Sequence, residues 1–218
     1  LTDKLHVVGR RGYSLQQSLE GKTMRSDVKF LIGKMTTLRS PERSDIPLLV
    51  RWINDPNVWR FLGSAFPINE IAEEKWLTQG AEDKSKINFV IQMLSGEAIG
   101  AMGFHDIDLI NRTAFTGAFI GETAFRNRGF GTDAKLTLLE YAFNTLNLHK
   151  VKSRALATNK ASIAYSLHCG YKKEGILRKE IFREGQYVDM VELAIFRKDW
   201  LPVWEHYQET GKIPKKTK

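Results

Sequence analysis

From Thr113 onward the chain reads strand, glycine turn, helix, strand, and that order constrains the fold more than any other feature. TAFTGAFI, residues 113–120, is rich in the β-branched and aromatic residues that strands favour. The turn Arg126-Asn127-Arg128-Gly129-Phe130-Gly131 follows it, and Leu136, Leu139, Phe143 and Leu146 then recur at helical spacing through residues 132–146. Residues 150–157 return to strand composition. A crossover this short between two strands of one sheet predicts that they run parallel.

The upstream half has the opposite habit. NFVIQML, a Ser95-Gly96 turn and EAIGAMGFH predict an antiparallel hairpin, and TAFTGAFI extends it to a three-stranded meander after Asn111-Arg112. Residues 29–39 predict a single first strand. A helix capped by Ser44 should follow, with Pro47 in its first turn and Ile46, Leu49, Val50 and Ile53 on one face, until Asp55-Pro56 stops it. A second helix is predicted over residues 69–79, a short one over 160–167 ended by Gly170, and a late strand in YVDMVELAIF after Glu184-Gly185. The class is mixed α/β, with an antiparallel first half.

A chain of 218 residues, 42% of them hydrophobic, can bury one good core. Residues 1–24 show no sustained period and read as an appendage: an upstream extension, an expression remnant or a flexible arm. The expected organisation is one domain over residues 25–208 and a basic tail over 209–218. The formal net charge is +8, of which the first 24 residues carry +2 and residues 211–218 carry +4. The body is left at +2, too balanced for a broad phosphate-binding face, so nucleic acid is not an expected partner. The single cysteine, Cys169, has no partner for a disulfide or a metal site; a reducing cytoplasm fits, and no metal is expected. No apolar run approaches the roughly 20 residues that span a bilayer, and no membrane partner is expected.

A glycine turn between a strand and a helix points several backbone N–H groups into one small volume, where the helix dipole adds positive potential. That volume suits a diphosphate. Gly129 and Gly131 remove Cβ atoms that would hold an oxygen away, and Arg126 and Arg128 can place charge at the rim. The Gly-Lys-Ser/Thr of a P-loop is absent, as is the third glycine of a dinucleotide fingerprint.

These residues resemble the GNAT superfamily, whose cofactor signature runs Arg or Gln, x, x, Gly, x, Gly or Ala; Arg126, Gly129 and Gly131 match it in order. FIGETAFRNRGFGTDAKLTLLEYAFNTLNLHKV is similar to the branch of ribosomal-protein N-terminal acetyltransferases and spermidine acetyltransferases. NKASIAYSLHCGY supplies a second family element, opened by Asn159 and closed by Gly170-Tyr171, and the resemblance spans residues 29–200. It implies the GNAT fold: a mixed, mostly antiparallel central sheet flanked by helices, with parallel strands that splay at the cofactor site. It also implies acetyl-CoA as acyl donor, held by Ala118, Phe119 and Ile120, by Arg126, Asn127, Arg128, Gly129, Phe130, Gly131 and Thr132, and by Asn159 and Ser162. The implied reaction is direct attack of a primary amine on the thioester in a ternary complex. The acceptor is then a small molecule or a protein N-terminus, and a homodimer is allowed. A reading of another class keeps the fold as a catalytically silent coenzyme A-binding or ribosome-binding module.

The chemistry sets three tasks: deprotonate an ammonium, stabilise an oxyanion, and protonate or solvate a thiolate. The oxyanion donor is expected at the backbone N–H of Phe119 or Ile120. Where relatives carry a tyrosine for the thiolate this chain has Ser166, with Tyr165 one place earlier and so turned by ~100° on a helix. Ser162 is the preferred donor and Tyr165 the rival. No acid lies within 113–120, which leaves His105 as preferred base, with Glu122 or a water chain to Glu180 or Asp189 as substitutes. Trp52, Trp59 and Phe66 either line the acceptor pocket or belong to the core, and Cys169 reads as a buried filler.

Overall fold

The computed structural model describes residues 28–63 and 66–214; the appendage assigned to 1–24 and the last four residues of the basic tail lie outside the described residues. The strands are β1 (Leu31–Ile32), β2 (Thr36–Arg39), β3 (Ile87–Met93), β4 (Ala98–Asp108), β5 (Thr113–Ile120), β6 (Lys150–Leu156), β7 (Lys172–Arg183) and β8 (Gln186–Phe196). They form one sheet in the order β1-β2-β3-β4-β5-β6-β8-β7. Every adjacent pair is antiparallel except β5 and β6, which run parallel as the short crossover requires. The fold is thus mixed α/β, a mostly antiparallel sheet with one parallel pair. Six α-helices accompany the strands among the described residues: α1 (Ile46–Asn54), α2 (Pro56–Trp59), α3 (Glu70–Glu82), α4 (Phe130–Glu140), α5 (Lys160–His168) and α6 (Arg197–Thr210).

Pleating divides the central strands between two layers. Phe89, Met102 and Ala118 are register partners across β3, β4 and β5 and share one face, where Phe89, Met102 and Phe104 join Leu136, Leu139 and Phe143 in the core. Val90, Ala101 and Phe119 share the other face, where the Trp52 ring of α1 meets Phe119 edge-on at 6.2 Å.

Several elements depart from the sequence reading for local reasons. The single strand expected over 29–39 is a hairpin, closed by Gly33 N–H donating to the Thr36 carbonyl at 2.8 Å. The turn forms because Asp133 of α4, fully buried, accepts from the N–H groups of Lys34, Met35 and Thr36 and from the hydroxyls of Thr36 and Tyr207, all at 2.7–3.0 Å. Gly33 is the residue that lets this carboxylate close in, since a Cβ there would stand 2.5 Å from Asp133 Oδ2. Ser44 caps nothing; it lies in a 3₁₀ turn (Arg43–Asp45) preceding α1, where Asp45 accepts a two-pronged pair from Arg39 at 2.7 Å. Asp55 ends α1 and accepts from the Asn57 N–H to start α2, and Asn69 caps α3 by accepting from the Ala72 N–H at 2.9 Å.

The helix expected over 132–146 begins at Phe130 and finishes as a π-turn, Tyr141–Thr145. Three elements, α2, β7 and α6, have no counterpart in the sequence reading. β7 is an edge strand with a largely exposed, charged outer surface, and α6 tolerates Pro202 inside it while burying Trp200 and Tyr207. α6 runs through Thr210, past the boundary placed at 208, and ends on Gly211 in the left-handed region at φ 68°.

Candidate active site

β5 and β6 pair at only three positions, Thr113 with Lys150, Ala114 with Val151 and Phe115 with Lys152, and then separate. The middle of an eight-stranded sheet is ordinarily covered, yet Gly117 and Ala118 of β5 are exposed. A polar knot fills the fork where pairing stops. The Lys135 ammonium of α4 donates to Thr116 Oγ1 at 2.8 Å, and the same oxygen lies 3.1 Å from the Tyr171 hydroxyl and 3.3 Å from the Lys152 carbonyl it can donate to. Lys135 is 1% exposed and sits 5.6 and 5.4 Å from the Tyr165 and Tyr171 ring centres. Burial pulls its ammonium down to about 8. Ladder bonds that β6 stops making are partly replaced here by side chains, which favours a standing gap over a closed sheet.

Backbone direction along β5 shows which groups face that gap. Gly121 N–H donates to the Ile99 carbonyl of the β3–β4 hairpin at 2.9 Å, so by strand alternation Phe119 also points its N–H toward β4 and Ile120 points away. The Ser153 hydroxyl on the Thr116 carbonyl at 3.5 Å confirms that even-numbered residues face β6. Of the two expected oxyanion donors, Phe119 is therefore engaged in the sheet and Ile120 presents its N–H to the gap. Ala118 does the same.

The turn beside this edge is built for close approach of a ligand. Asn127 and Gly129 both lie in the left-handed region, at φ 58° and 92°, and Gly129 opens α4 with no side chain capping it. The N–H groups of Phe130, Gly131 and Thr132 find no acceptor among the described residues, which leaves the positive end of α4 open. Arg128 is exposed. Two expectations change here. Arg126 is not a free rim charge: its guanidinium donates to the Ile120 carbonyl at 2.9 Å and the Gly121 carbonyl at 3.3 Å, bracing the end of β5. Gly131 does not clear space for an oxygen either, because a Cβ there would point at Ile120 and the Tyr165 ring, 3.7 Å from each.

α5 closes the site from the side of β6. Asn159 accepts from the Ser162 N–H at 3.0 Å as a helix cap, which leaves its amide NH₂ for other partners. Ser162 is half-buried, and Ser166 is buried. Tyr165 donates its phenol to the Gly131 carbonyl at 3.0 Å, and burial raises that phenol well above its ordinary range. Its proton is thereby engaged in bracing the turn, which sets Tyr165 behind Ser162 as a donor to the thiolate. Cys169 is fully buried and its thiol is pushed up to about 12, in keeping with a filler.

None of the expected bases stands at the gap, and of them only His105 lines the cavity on the other face of the strand. The register places His105 opposite Phe115 and Gly100 opposite Ile120, five residues or roughly 17 Å apart along the strand at ~3.3 Å per residue. The His105 ring stacks on Phe115 at 5.4 Å and its Nδ1 lies 3.0 Å from the Asp106 carboxylate. Glu122 is tied to Arg51 and accepts from Trp52 Nε1 at 2.9 Å. Asp189 accepts from the Lys179 N–H at 2.8 Å, and Glu180 is exposed on β7 at the edge of the sheet.

Opposite α4, a cavity of about 400 Å³ lies between α1, α3 and strands β3 to β5 and reaches Gly117, Ala118 and Phe119. Trp52, Trp59 and Phe66 are not in its lining; its walls include Leu49, Ile53, Leu62, Ile68 and Trp76. Trp52 is a core residue at 2% exposure, and Phe66 is exposed. The lining also holds Glu73, 5% exposed, whose carboxyl burial pushes above the usual carboxylate range. Sequence reasoning passed over Glu73. The available signal was its place three and four residues before Trp76 and Leu77, an acid in an apolar row of α3.

The profile of the Acetyltransferase (GNAT) domain matches residues 36–172. The chain belongs to the GNAT acetyltransferase family. It is an N-acetyltransferase that uses acetyl-CoA. N-acetyltransferase p20 of Bacillus licheniformis is 25% identical over 78% of this chain and 97% of its own length, and the spermidine N(1)-acetyltransferase of Vibrio cholerae is 26% identical over 78% and 98%. A crystal structure of the Vibrio cholerae spermidine N-acetyltransferase with CoA and spermine superposes with a TM-score of 0.72 at 25% identity, covering 76% of this chain and 98% of that one. Another structure of that enzyme is dodecameric. Among the described residues, no three His, Cys, Asp or Glu side chains cluster as a metal site, and no helix is long and apolar enough to cross a membrane.

Proposed function

We propose that this N-acetyltransferase moves the acetyl group from acetyl-CoA to a primary amine by direct attack within a ternary complex. The observation that carries the reading is the exposed middle of a central strand beside a helix N-terminus with unfilled N–H donors. The N–H groups of Phe130, Gly131 and Thr132, with the Arg128 guanidinium, would meet the pyrophosphate. The pantetheine amides would lie along the free edge at Ala118 and Ile120, as an added strand does. Ile120 N–H is aimed where the carbonyl oxygen gains charge, and the Ser162 hydroxyl is the donor assigned to the leaving sulfur.

The cavity on the opposite face of β5 favours catalysis over a silent binding module, since it gives the acceptor its own route to the same strand. Release of coenzyme A thiol from acetyl-CoA across a panel of amines tests the reading directly. Acetyl-CoA binding without thiol release from any amine would leave only the module. Ser162→Ala should lower turnover about 10- to 100-fold with acetyl-CoA affinity little changed; unchanged turnover would remove Ser162 from the catalytic assignment.

A further inference from the structure

Three carboxylates are buried among the described residues, and their surroundings differ. Asp45 meets Arg39, Asp133 accepts from five donors, and Glu73 has neither a hydrogen bond nor an ion pair. Glu73 opens into the cavity beside Gly117 to Phe119, where the other polar side chains are Asn88 and His105. The helix holding it is turned against its own composition, with Ile71 80% exposed while Glu73 is 5% exposed. An unpaired carboxyl held against apolar walls and open to a cavity is best complemented by a ligand that brings the opposite charge to it.

The complement of a lone carboxylate is one cation. We propose that Glu73 receives the reacting ammonium of the acceptor and takes its proton, and that the acceptor is a monoamine with an apolar body. This rests on the acyl-transfer reading above. A polyamine would bring further ammonium groups against Leu49, Ile53, Leu62 and Ile68, where no second carboxylate lines the wall.

The ammonium gives one proton to the Glu73 carboxylate, and the freed nitrogen lone pair forms the C–N bond at the thioester carbonyl. The C–S bond breaks as the tetrahedral intermediate collapses. The second nitrogen proton ends on the thiolate as coenzyme A thiol, and Glu73 returns its own to solvent. His105 of β4 is the other titratable group in the lining, and the N-terminal end of α3 is the nearest dipole on Glu73's own element.

The test is steady-state thiol release with phenethylamine, spermidine and a short peptide beginning with Leu, on wild type and Glu73→Gln. Phenethylamine or the peptide should exceed spermidine in kcat/KM by about 10-fold, and which of the two leads tells a free amine from a protein N-terminus. Glu73→Gln should lose about 100-fold or more in kcat/KM, abolish the acid limb of the pH profile, and leave acetyl-CoA affinity unchanged. Gly117→Val is a second variant, because a Cβ at 117 meets nothing within 4 Å and would enter the cavity; it should lower kcat/KM for the monoamine by about 10-fold. Spermidine as the best acceptor, or Glu73→Gln within about threefold of wild type, overturns the assignment while the acyl-transfer reading stands. Acetyl-CoA binding with no thiol release from any amine overturns both.

Discussion

Asp133 and Glu73 sit on opposite sides of the same sheet, both carboxylates and both buried, and they behave as opposites. Asp133 gathers five donors from the β1–β2 turn, α6 and Thr36, so removing it from water is fully compensated. Glu73 gathers none among the described residues and lines a cavity. Burial alone therefore does not separate scaffold from site; satisfaction does.

Matched substitutions should break or confirm that contrast in urea denaturation. Asp133→Asn turns an NH₂ group toward donors and should cost about 3–5 kcal/mol. Glu73→Gln removes a charge that has no partner among the described residues and should leave stability equal or raise it. Similar losses at both positions would mean that Glu73 has a structural partner after all.

Lys135 is the intermediate case, a buried cation with one hydroxyl and two rings for company. Its folded value of about 8 lies below the ~10.4 of a free lysine, so the unfolded chain binds more protons between those values and stability rises with pH there. Below pH ~8 the cost is complete, on the order of 3 kcal/mol, and above ~10.4 it is gone. Lys135→Met should therefore stabilise at pH 7, with the gain fading as pH climbs through that window. A gain that does not vary with pH would contradict the shifted titration.

Gly33→Ala sharpens the Asp133 side. Its Cβ would lie 2.5 Å from Oδ2 and 2.7 Å from Thr137 Oγ1, and a loss of about 1–3 kcal/mol in the same denaturation experiment is expected. A neutral result would show that the turn moves freely over the carboxylate.

The legible parts of the chain are those decided locally. The meander, the glycine turn, the crossover helix and the parallel pairing follow from periodicity and turn residues within a few tens of positions. β7 was hidden because an edge strand carries charges, as in KKEGILRKEIFR, that elsewhere mark solvated loops. The hairpin at 29–39 depended on Asp133, about a hundred positions away, and the cavity depended on α1 and α3 meeting three strands. Arg126 and Gly131 matched a motif by spacing, yet their contacts with the carbonyls of Ile120 and Gly121, and with Tyr165, could be read only from the folded chain.

The most direct test of the site's placement is the affinity for acetyl-CoA, measured by titration calorimetry on wild type and Arg128→Glu at low and high salt. Arg128 is exposed at the turn, so its reversal should leave the unfolding temperature unchanged. The variant should bind about 10-fold more weakly at low salt, with the gap narrowing as salt screens the pyrophosphate. Equal affinity in a folded Arg128→Glu protein, at every salt concentration, would place the diphosphate somewhere other than the turn at the head of α4.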